Sequence, residues 1–478
     1  MTVRTWTSLH LDGGWTTPAT SDGFEIRSPH DGSIVGSAPC CDAADVARAV
    51  GAARRAFDDG PWPRMSVEAR CAALRPVVEA YGIRVEEMAT LITAEMGSPQ
   101  WFSSLGQAAG PHLLMTQLLD YAGELAWEQR RGTTLVRRAP TGVVGIITPW
   151  NVPQVTILAK LFPALIAGCT AVVKPAPETP LDAMLLAEIL AEADLPAGVV
   201  CVVPGATEAG QALVSNPDVD KIAFTGSSAV GSWIAAECGR RLARCSLELG
   251  GKSAAIICPD ASLDRTLEGL KFASFLNNGE ACVAQTRILA PRERYDEIVA
   301  GLAEMTAALP VGAPDDPKTY IGPLVSERHR DRVHSYLELG LEEGANVAAG
   351  GPGEVPGFET GHYVRPTLFS NVRNDMRIAQ EEIFGPVLVV IPYTDADDAV
   401  RLANDSAFGL GGSVWTKDRD AGLELARRVR TGTFGINSYA PGFDAPFGGF
   451  KSSGIGREYG PESLEEFTEL QSVYGVPS

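Results

Sequence analysis

The chain has 478 residues, 45% hydrophobic and 21% charged, an ordinary globular composition with length for two or three domains. Its formal net charge is −19, from 40 basic and 59 acidic side chains, which argues against a nucleic-acid or anionic-membrane surface. The opening "MTVRTWTSLHLDGGW" has no apolar signal region, no stretch is long and apolar enough to span a membrane, and nine scattered cysteines without C-x-x-C fit a reducing cytoplasm.

In chain order, "FEIRSPHDGSIVGSAP" reads as a hairpin. "AADVARAVGAARRAF" then places Val46, Ala49, Val50, Ala53 and Phe57 at helical spacing. Two more helices follow through about Gly106. From "TGVVGIITP" onward, short apolar strands alternate with helices: "VPQVTILAKLFPALIAG", "CTAVVKP", "TPLDAMLLAEILAEAD", "GVVCVVPG", "ATEAGQALVSN", "VDKIAFTGS" and "SAVGSWIAAECGRR". Such alternation predicts parallel βαβ units with both sheet faces covered. A second alternation starts near Glu248 with "KSAAIICP" and resumes at "GPVLVVIPY". The Gly- and Pro-rich stretch between, 311–366, reads as irregular. The expectation is an α/β protein with two parallel-sheet domains and a cleft between them.

Several stretches can carry chemistry. In "ITPWNVP" a strand ends in a turn holding Trp150 and Asn151. Ligands of open α/β sheets sit at such strand ends, and an Asn amide there can stabilise an oxyanion or simply form the turn. Lys174 of "VVKPAPETP" reaches the same sheet edge, as a ribose or phosphate ligand or as a solvated lysine. "FTGSSAVGSWIA" joins a strand to a helix at Gly226 and Ser227, where free N–H groups suit a pyrophosphate. It lacks the dinucleotide G-x-G-x-x-G and the P-loop fingerprint. Glu248 of "LELGGKS" is a carboxylate in an apolar setting, either a general base or a turn residue. Cys282 of "NNGEACVAQTR" has no histidine nearby in sequence, which disfavours a Cys/His pair. Six dispersed histidines give no metal-ligand spacing, so no metal is expected.

Taken together and in order, these stretches resemble the aldehyde dehydrogenase superfamily. The matching motifs are "PWN" (149–151), "KP" (174–175), "FTGS" (224–227), "ELGGK" (248–252), "NNGEAC" (277–282), "EEIFGP" (381–386), Asn437 and "PFGGFKSSGIGRE" (446–458). The resemblance covers nearly the whole chain. It implies that Cys282 attacks an aldehyde, that Asn151 and the Cys282 N–H hold the oxyanion, and that Glu248 activates water to release the acid. It implies a nicotinamide cofactor, NAD with NADP possible. Ile147, Thr148, Pro149 and Trp150 would line its site. Lys174, Pro177, Glu178 and Gly205 would lie by the adenosine. Phe224, Thr225, Gly226, Ser227 and Val230 would lie by the pyrophosphate. Leu249, Gly250, Glu382 and Phe384 would lie by the nicotinamide half. The tunnel wall would comprise Val152, Thr156, Ala159, Ala281, Val283 and Phe447, with small residues suited to bulky apolar aldehydes.

Further implications are residues 1–121 and 141–247 as the NAD(P)-binding domain, 248–452 as the catalytic domain, and 122–140 with 460–478 as a β oligomerisation arm. The arm's segments would pair between subunits of a homodimer or homotetramer, near Arg457 and Glu469. Two departures stand out. Pro177 replaces a glutamate that many NAD-preferring members carry, and Glu280 replaces a glutamine two residues before the cysteine. Glu280 is expected to point away from the sulfur, since a facing carboxylate would raise the thiol's pKa. A CoA-acylating semialdehyde dehydrogenase is the rival within the family, but such members generally lack the Glu248 equivalent. A non-catalytic oligomeric binding protein is a second alternative, against which the complete set of Cys282, Glu248 and Asn151 stands. Esterase activity would be a side reaction of the same site.

Overall fold

The strand Val143–Ile147 lies inside an eight-stranded sheet in a computed structural model that describes residues 3–476. Residues 1–2 of the first assigned segment and 477–478 of the arm lie outside the described residues. The sheet's middle strands run parallel, in the order Arg244–Glu248, Lys221–Thr225, Val143–Ile147, Thr170–Lys174 and Val200–Val202. Val143–Ile147 and Thr170–Lys174 are buried at every position, as strands covered on both faces must be. The helix Pro153–Ala167, buried along its whole length, covers one face.

A second, seven-stranded sheet is built around Ala254–Ile257, Arg287–Pro291, Val387–Tyr393 and Gly412–Trp415, all parallel. Both sheets are parallel at their centres, as expected, and carry antiparallel strands at their edges. The hairpin Leu9–Leu11 and Gly14–Thr16 joins the first sheet antiparallel at one edge, and Gly454–Ile455 does so at the other. Asn346–Ala349 closes one edge of the second sheet in the same way. Short antiparallel strands are an inexpensive cover for an otherwise open edge.

The middle stretch is not wholly irregular. It contains the helix Glu327–Glu342, capped by Ser326, and the strand Asn346–Ala349. The helix buries Val333, Tyr336, Leu337 and Gly340, spaced for one face, within a strongly charged run. Flanking Gly and Pro residues mask that periodicity in the sequence.

A third sheet is the arm. Thr468–Tyr474 pairs antiparallel with Thr134–Pro140, which pairs with Glu128–Arg131. These strands pair with each other within one chain. Glu469 is ion-paired with Arg244 at 2.6 Å, and the Arg457 guanidinium donates to the carbonyls of Gly449 and Gly456. No helix among the described residues is long and apolar enough to cross a membrane.

Candidate active site

Strand register brings the candidate groups to one edge. Thr225 sits opposite Glu248, and Ile147 opposite Lys174, at the carboxyl ends of neighbouring parallel strands. Beyond Ile147 the chain turns through Thr148, Pro149, Trp150 and Asn151, and Pro153 opens the helix at its first turn, where its missing N–H costs nothing.

Cys282 comes from the other sheet's side of the cleft. After the helix Leu263–Phe275 the chain reverses through Asn277 and Asn278, with φ of 52° and 61°. Asparagine tolerates this left-handed region better than most residues. The two side chains then fix the loop. Asn277 Nδ2 donates to the carbonyls of Asn151 and Glu280, and Asn278 Nδ2 to those of Gly97 and Pro323. Gly279 allows a close approach, since a Cβ there would lie 2.3 Å from the Gly385 carbonyl oxygen.

Asn151 Nδ2 donates to the Glu280 carbonyl oxygen at 2.9 Å, which joins the strand-end turn to the cysteine loop. The Glu280 side chain points away from the sulfur. Its Oε1 accepts from the Val325 N–H at 3.0 Å and lies 3.7 Å from His329 Nε2. Burial pushes its carboxyl well above the usual range. The carboxylates that raise the Cys282 thiol are Glu382, Glu248 and Glu458, after the larger effect of desolvation, and together they push it up to about 12.

Glu248 is buried and neither of its carboxyl oxygens has a hydrogen-bond partner. Burial, then the neighbouring Glu458, hold its carboxyl well above the usual range, and Lys160 opposes them. Lys160 Nζ lies 2.6 Å from Glu458 Oε1 and 2.5 Å from Thr225 Oγ1. Lys160 is the only charged residue of its helix, and that isolation in an apolar run is the signal by which the sequence marks it.

The cofactor candidates divide. Glu382 Oε1 accepts from the Gly251 N–H at 2.8 Å, and burial raises its carboxyl to about 7. A Cβ at Gly250 would meet Glu382 Oε2 at 2.5 Å, so a larger residue there would displace that carboxyl. Phe384 has φ of 67° and meets Trp150 edge-on at 5.5 Å between ring centroids. His329, absent from the sequence reading, accompanies them: its Nε2 donates to the Phe384 carbonyl at 2.6 Å, and burial lowers it to about 4. Ser227 caps the helix Ser228–Arg241 and accepts from the Val230 N–H at 3.4 Å. Lys174 Nζ donates to the carbonyls of Pro175 and Gly205 at 2.7 Å each. Glu178 lies 3.6 Å from Arg328, which reaches over from the helix Glu327–Glu342.

Asn151, Glu248 and Cys282 line one cleft of about 690 Å³, with Pro149, Trp150, Glu382 and Phe384. Val152, Thr156, Ala281, Val283 and Phe447 line it as well. Ala159 does not. It is 1% exposed and packed in the core, because one further helical turn from Val152 and Thr156 carries it beneath the wall. Lys174, Pro177, Glu178, Gly205, Phe224 and Val230 lie outside this wall, as do Ile147 and Thr148. No cluster of three or more His, Cys, Asp or Glu side chains suited to a metal ion occurs among the described residues.

Residues 15–473 match the sequence model of the aldehyde dehydrogenase family. The chain belongs to that family. It is 45% identical to a geranial dehydrogenase of Castellaniella defragrans, with 98% of each chain covered. It is 40% identical to a 3-succinoylsemialdehyde-pyridine dehydrogenase of a Pseudomonas species, with 99% of each covered. A Mycobacterium tuberculosis aldehyde dehydrogenase complexed with NAD+ superimposes with a TM-score of 0.97 at 48% identity, covering 100% of this chain and 99% of that one. A cysteine-to-alanine variant of a Pseudomonas syringae aldehyde dehydrogenase, complexed with NAD+ and octanal, gives 0.96 at 38% identity, covering 98% and 97%.

Proposed function

We propose that this family member oxidises an aldehyde to a carboxylic acid with NAD, through covalent catalysis at Cys282. The observation that carries the reading is that Glu248, with both carboxyl oxygens unpartnered, lines the same cleft as Cys282. In its ionised form this carboxylate, with no other hydrogen bond to break, can take a proton from water held between it and an acyl group on the sulfur.

Cys282 Sγ adds to the carbonyl carbon and forms a thiohemiacetal. Its oxyanion is held by the Cys282 N–H and by Asn151, whose amide leaves the Glu280 carbonyl to do so. Nicotinamide, when bound, would accept the hydride that this carbon gives up, which leaves a thioester on Cys282. Glu248 then deprotonates water, the water attacks the thioester carbon, and the thiolate leaves. The residues fit the cofactor. The helix start at Ser228 offers N–H groups to a pyrophosphate, Glu382 offers a carboxylate to ribose hydroxyls, and Lys174 with Glu178 stands at the adenosine end.

NAD is the preferred cofactor, with NADP use open because Pro177 carries no charge. The tunnel of Val152, Thr156, Ala281, Val283 and Phe447 suits bulky, apolar aldehydes. The relatives described as acting on geranial and crystallised with octanal favour the same reading. Residues 1–121 and 141–247 act as the cofactor domain, 248–452 as the catalytic domain, and 122–140 with 460–478 as an arm joining subunits into a homodimer or homotetramer in the cytoplasm. The exposed Leu470 and Tyr474 on the arm's outer strand support that role.

An initial-rate screen of aldehydes with both cofactors tests the reading. NAD-dependent acid formation without added CoA supports it, and a CoA requirement with acyl-CoA as product overturns it.

A further inference from the structure

Away from the cleft, two cysteines that the proposed reaction does not use meet between a helix and the strand that follows it. Cys238 lies in the last turn of the helix Ser228–Arg241. The chain then reverses at Leu242, which has a left-handed φ of 58° and donates its N–H to the Cys238 carbonyl. The Ala243 N–H donates to the same carbonyl at 3.0 Å. The strand Arg244–Glu248 therefore sets out beside the helix end. Side chains alternate along a strand. Arg244 is exposed and ion-paired with Glu469, while Cys245 packs against the apolar cluster that holds Cys238.

The two thiols are in contact, with the Cys238 S–H donating to the Cys245 sulfur. They differ in access: Cys238 is 1% exposed, whereas Cys245 is half-buried. They differ in electrostatics as well. The hydrogen bond from Cys238 lowers the Cys245 thiol against the burial that raises it, and Lys221 lowers it further, with Glu466 opposing. Lys221 is fixed there, because its Nζ donates to the Glu466 carbonyl at 2.8 Å and lies 3.2 Å from the Glu466 carboxylate. The same hydrogen bond, then burial, raises Cys238. A partly exposed thiol near a cation reacts with oxidants, and a second thiol in contact with it can resolve the product.

We infer that Cys238 and Cys245 form an oxidative modification site, which hydrogen peroxide closes into an intrachain disulfide. The Cys245 thiolate attacks one peroxide oxygen, the O–O bond breaks, hydroxide leaves, and Cys245 becomes a sulfenic acid. The Cys238 sulfur then attacks the Cys245 sulfur. The S–O bond breaks, the Cys238 proton goes to the departing hydroxyl, and water leaves as the S–S bond forms. Two thiols lose two electrons in all, and one peroxide is reduced to two waters. Exchange with a dithiol reopens the bond. It would tie the helix that starts at Ser228 to the strand that ends at Glu248, although neither cysteine lines the cleft. Cys282, buried and pushed up to about 12, holds less thiolate than Cys245 in the free enzyme, so the pair meets peroxide first. The site does not depend on the reading of the cleft.

The test is peptide mapping of the reduced full-length protein after a small molar excess of hydrogen peroxide, without cofactor. The sample is denatured in iodoacetamide and digested with trypsin without reductant. Trypsin cuts after Arg240, Arg241 and Arg244, between the two cysteines, so the disulfide joins peptides 222–240 and 245–252. The expected result is that linked pair, about 2 Da lighter than the two thiol peptides together and separated by dithiothreitol. Peptide 272–287, which carries Cys282, should still be alkylated in full. In Cys238→Ala, Cys245 should stop at a sulfenic acid that dimedone captures. The wild-type map needs no substitution, so it decides even if that variant misfolds. Absence of the linked peptide, either cysteine joined to a different partner, or oxidation of Cys282 at doses that leave the pair reduced overturns the assignment.

Discussion

The Asn151 side-chain amide donates to the carbonyl of Glu280, two residues before Cys282, at 2.9 Å. One hydrogen bond thus ties the end of the strand Val143–Ile147 to the nucleophile loop. Asn277 returns the link by donating to the Asn151 carbonyl at 2.9 Å. The amide that serves the oxyanion in the proposed reaction also positions the loop before substrate arrives.

Asn151→Ala is therefore expected to lower kcat by about 10²–10³, the usual cost of an oxyanion donor. Circular dichroism should show an unchanged fold. Asn151→Asp keeps the shape but puts a carboxylate at the oxyanion and should be no better. Steady-state kinetics on both variants checks this, and near-wild-type kcat in either contradicts the role.

The thiol should titrate far into the alkaline range in the free enzyme. Desolvation raises Cys282 first, and the Glu382 carboxylate is the next cause, to about 12 in all. Removing that charge with Glu382→Gln should move the alkylation profile of Cys282 to lower pH, because a nearby negative charge disfavours the thiolate. The rate of inactivation by iodoacetamide against pH measures it. An unmoved profile would assign the shift to desolvation alone.

Stability should fall as pH rises through the neutral range, because of a buried acid pair beneath the site. Glu95 accepts from the N–H groups of Leu181 and Asp182 at 3.0 Å each, and Gln154 donates to Asp182 Oδ2 at 2.5 Å. Burial raises Asp182 to about 7 and Glu95 well above the usual range. A carboxyl with a raised folded pKa binds its proton more tightly when folded. Its contribution is therefore full below the ordinary carboxylate range and is lost as pH climbs through the folded pKa. Asp182→Asn should flatten the decline in Tm between about pH 4 and 7. An unchanged slope would remove the pair from the account.

Cofactor choice should turn on Glu178 and Arg328, which lie 3.6 Å apart. Arg328→Glu places two carboxylates near the adenosine end and should raise KM for NADP more than for NAD. Equal effects on both cofactors would dissociate this pair from the 2′ position.

Much of this was legible in the sequence for a physical reason. Strand-end residues such as Asn151, Lys174 and Glu248 follow continuous apolar runs, and parallel register then brings them to one edge. The Glu327–Glu342 helix was hidden because its apolar face is narrow within "ERHRDRVHSYLELGLE" and its neighbours are Gly and Pro. Ala159 was misplaced because small residues at helical spacing do not reveal which turn dips below the cleft floor. His329 became visible only through three-dimensional contacts, its ring against Trp150 and its Nε2 on the Phe384 carbonyl, which nothing in its own charged helical run announces.

The most direct test of the central claim is mass spectrometry of Glu248→Gln mixed with NAD and an aldehyde. With water activation removed, the account predicts an acyl adduct on the intact protein, localised by proteolysis to Cys282 and absent in a Cys282→Ala background. Full turnover in Glu248→Gln, or an acyl group carried by any other residue, would contradict it.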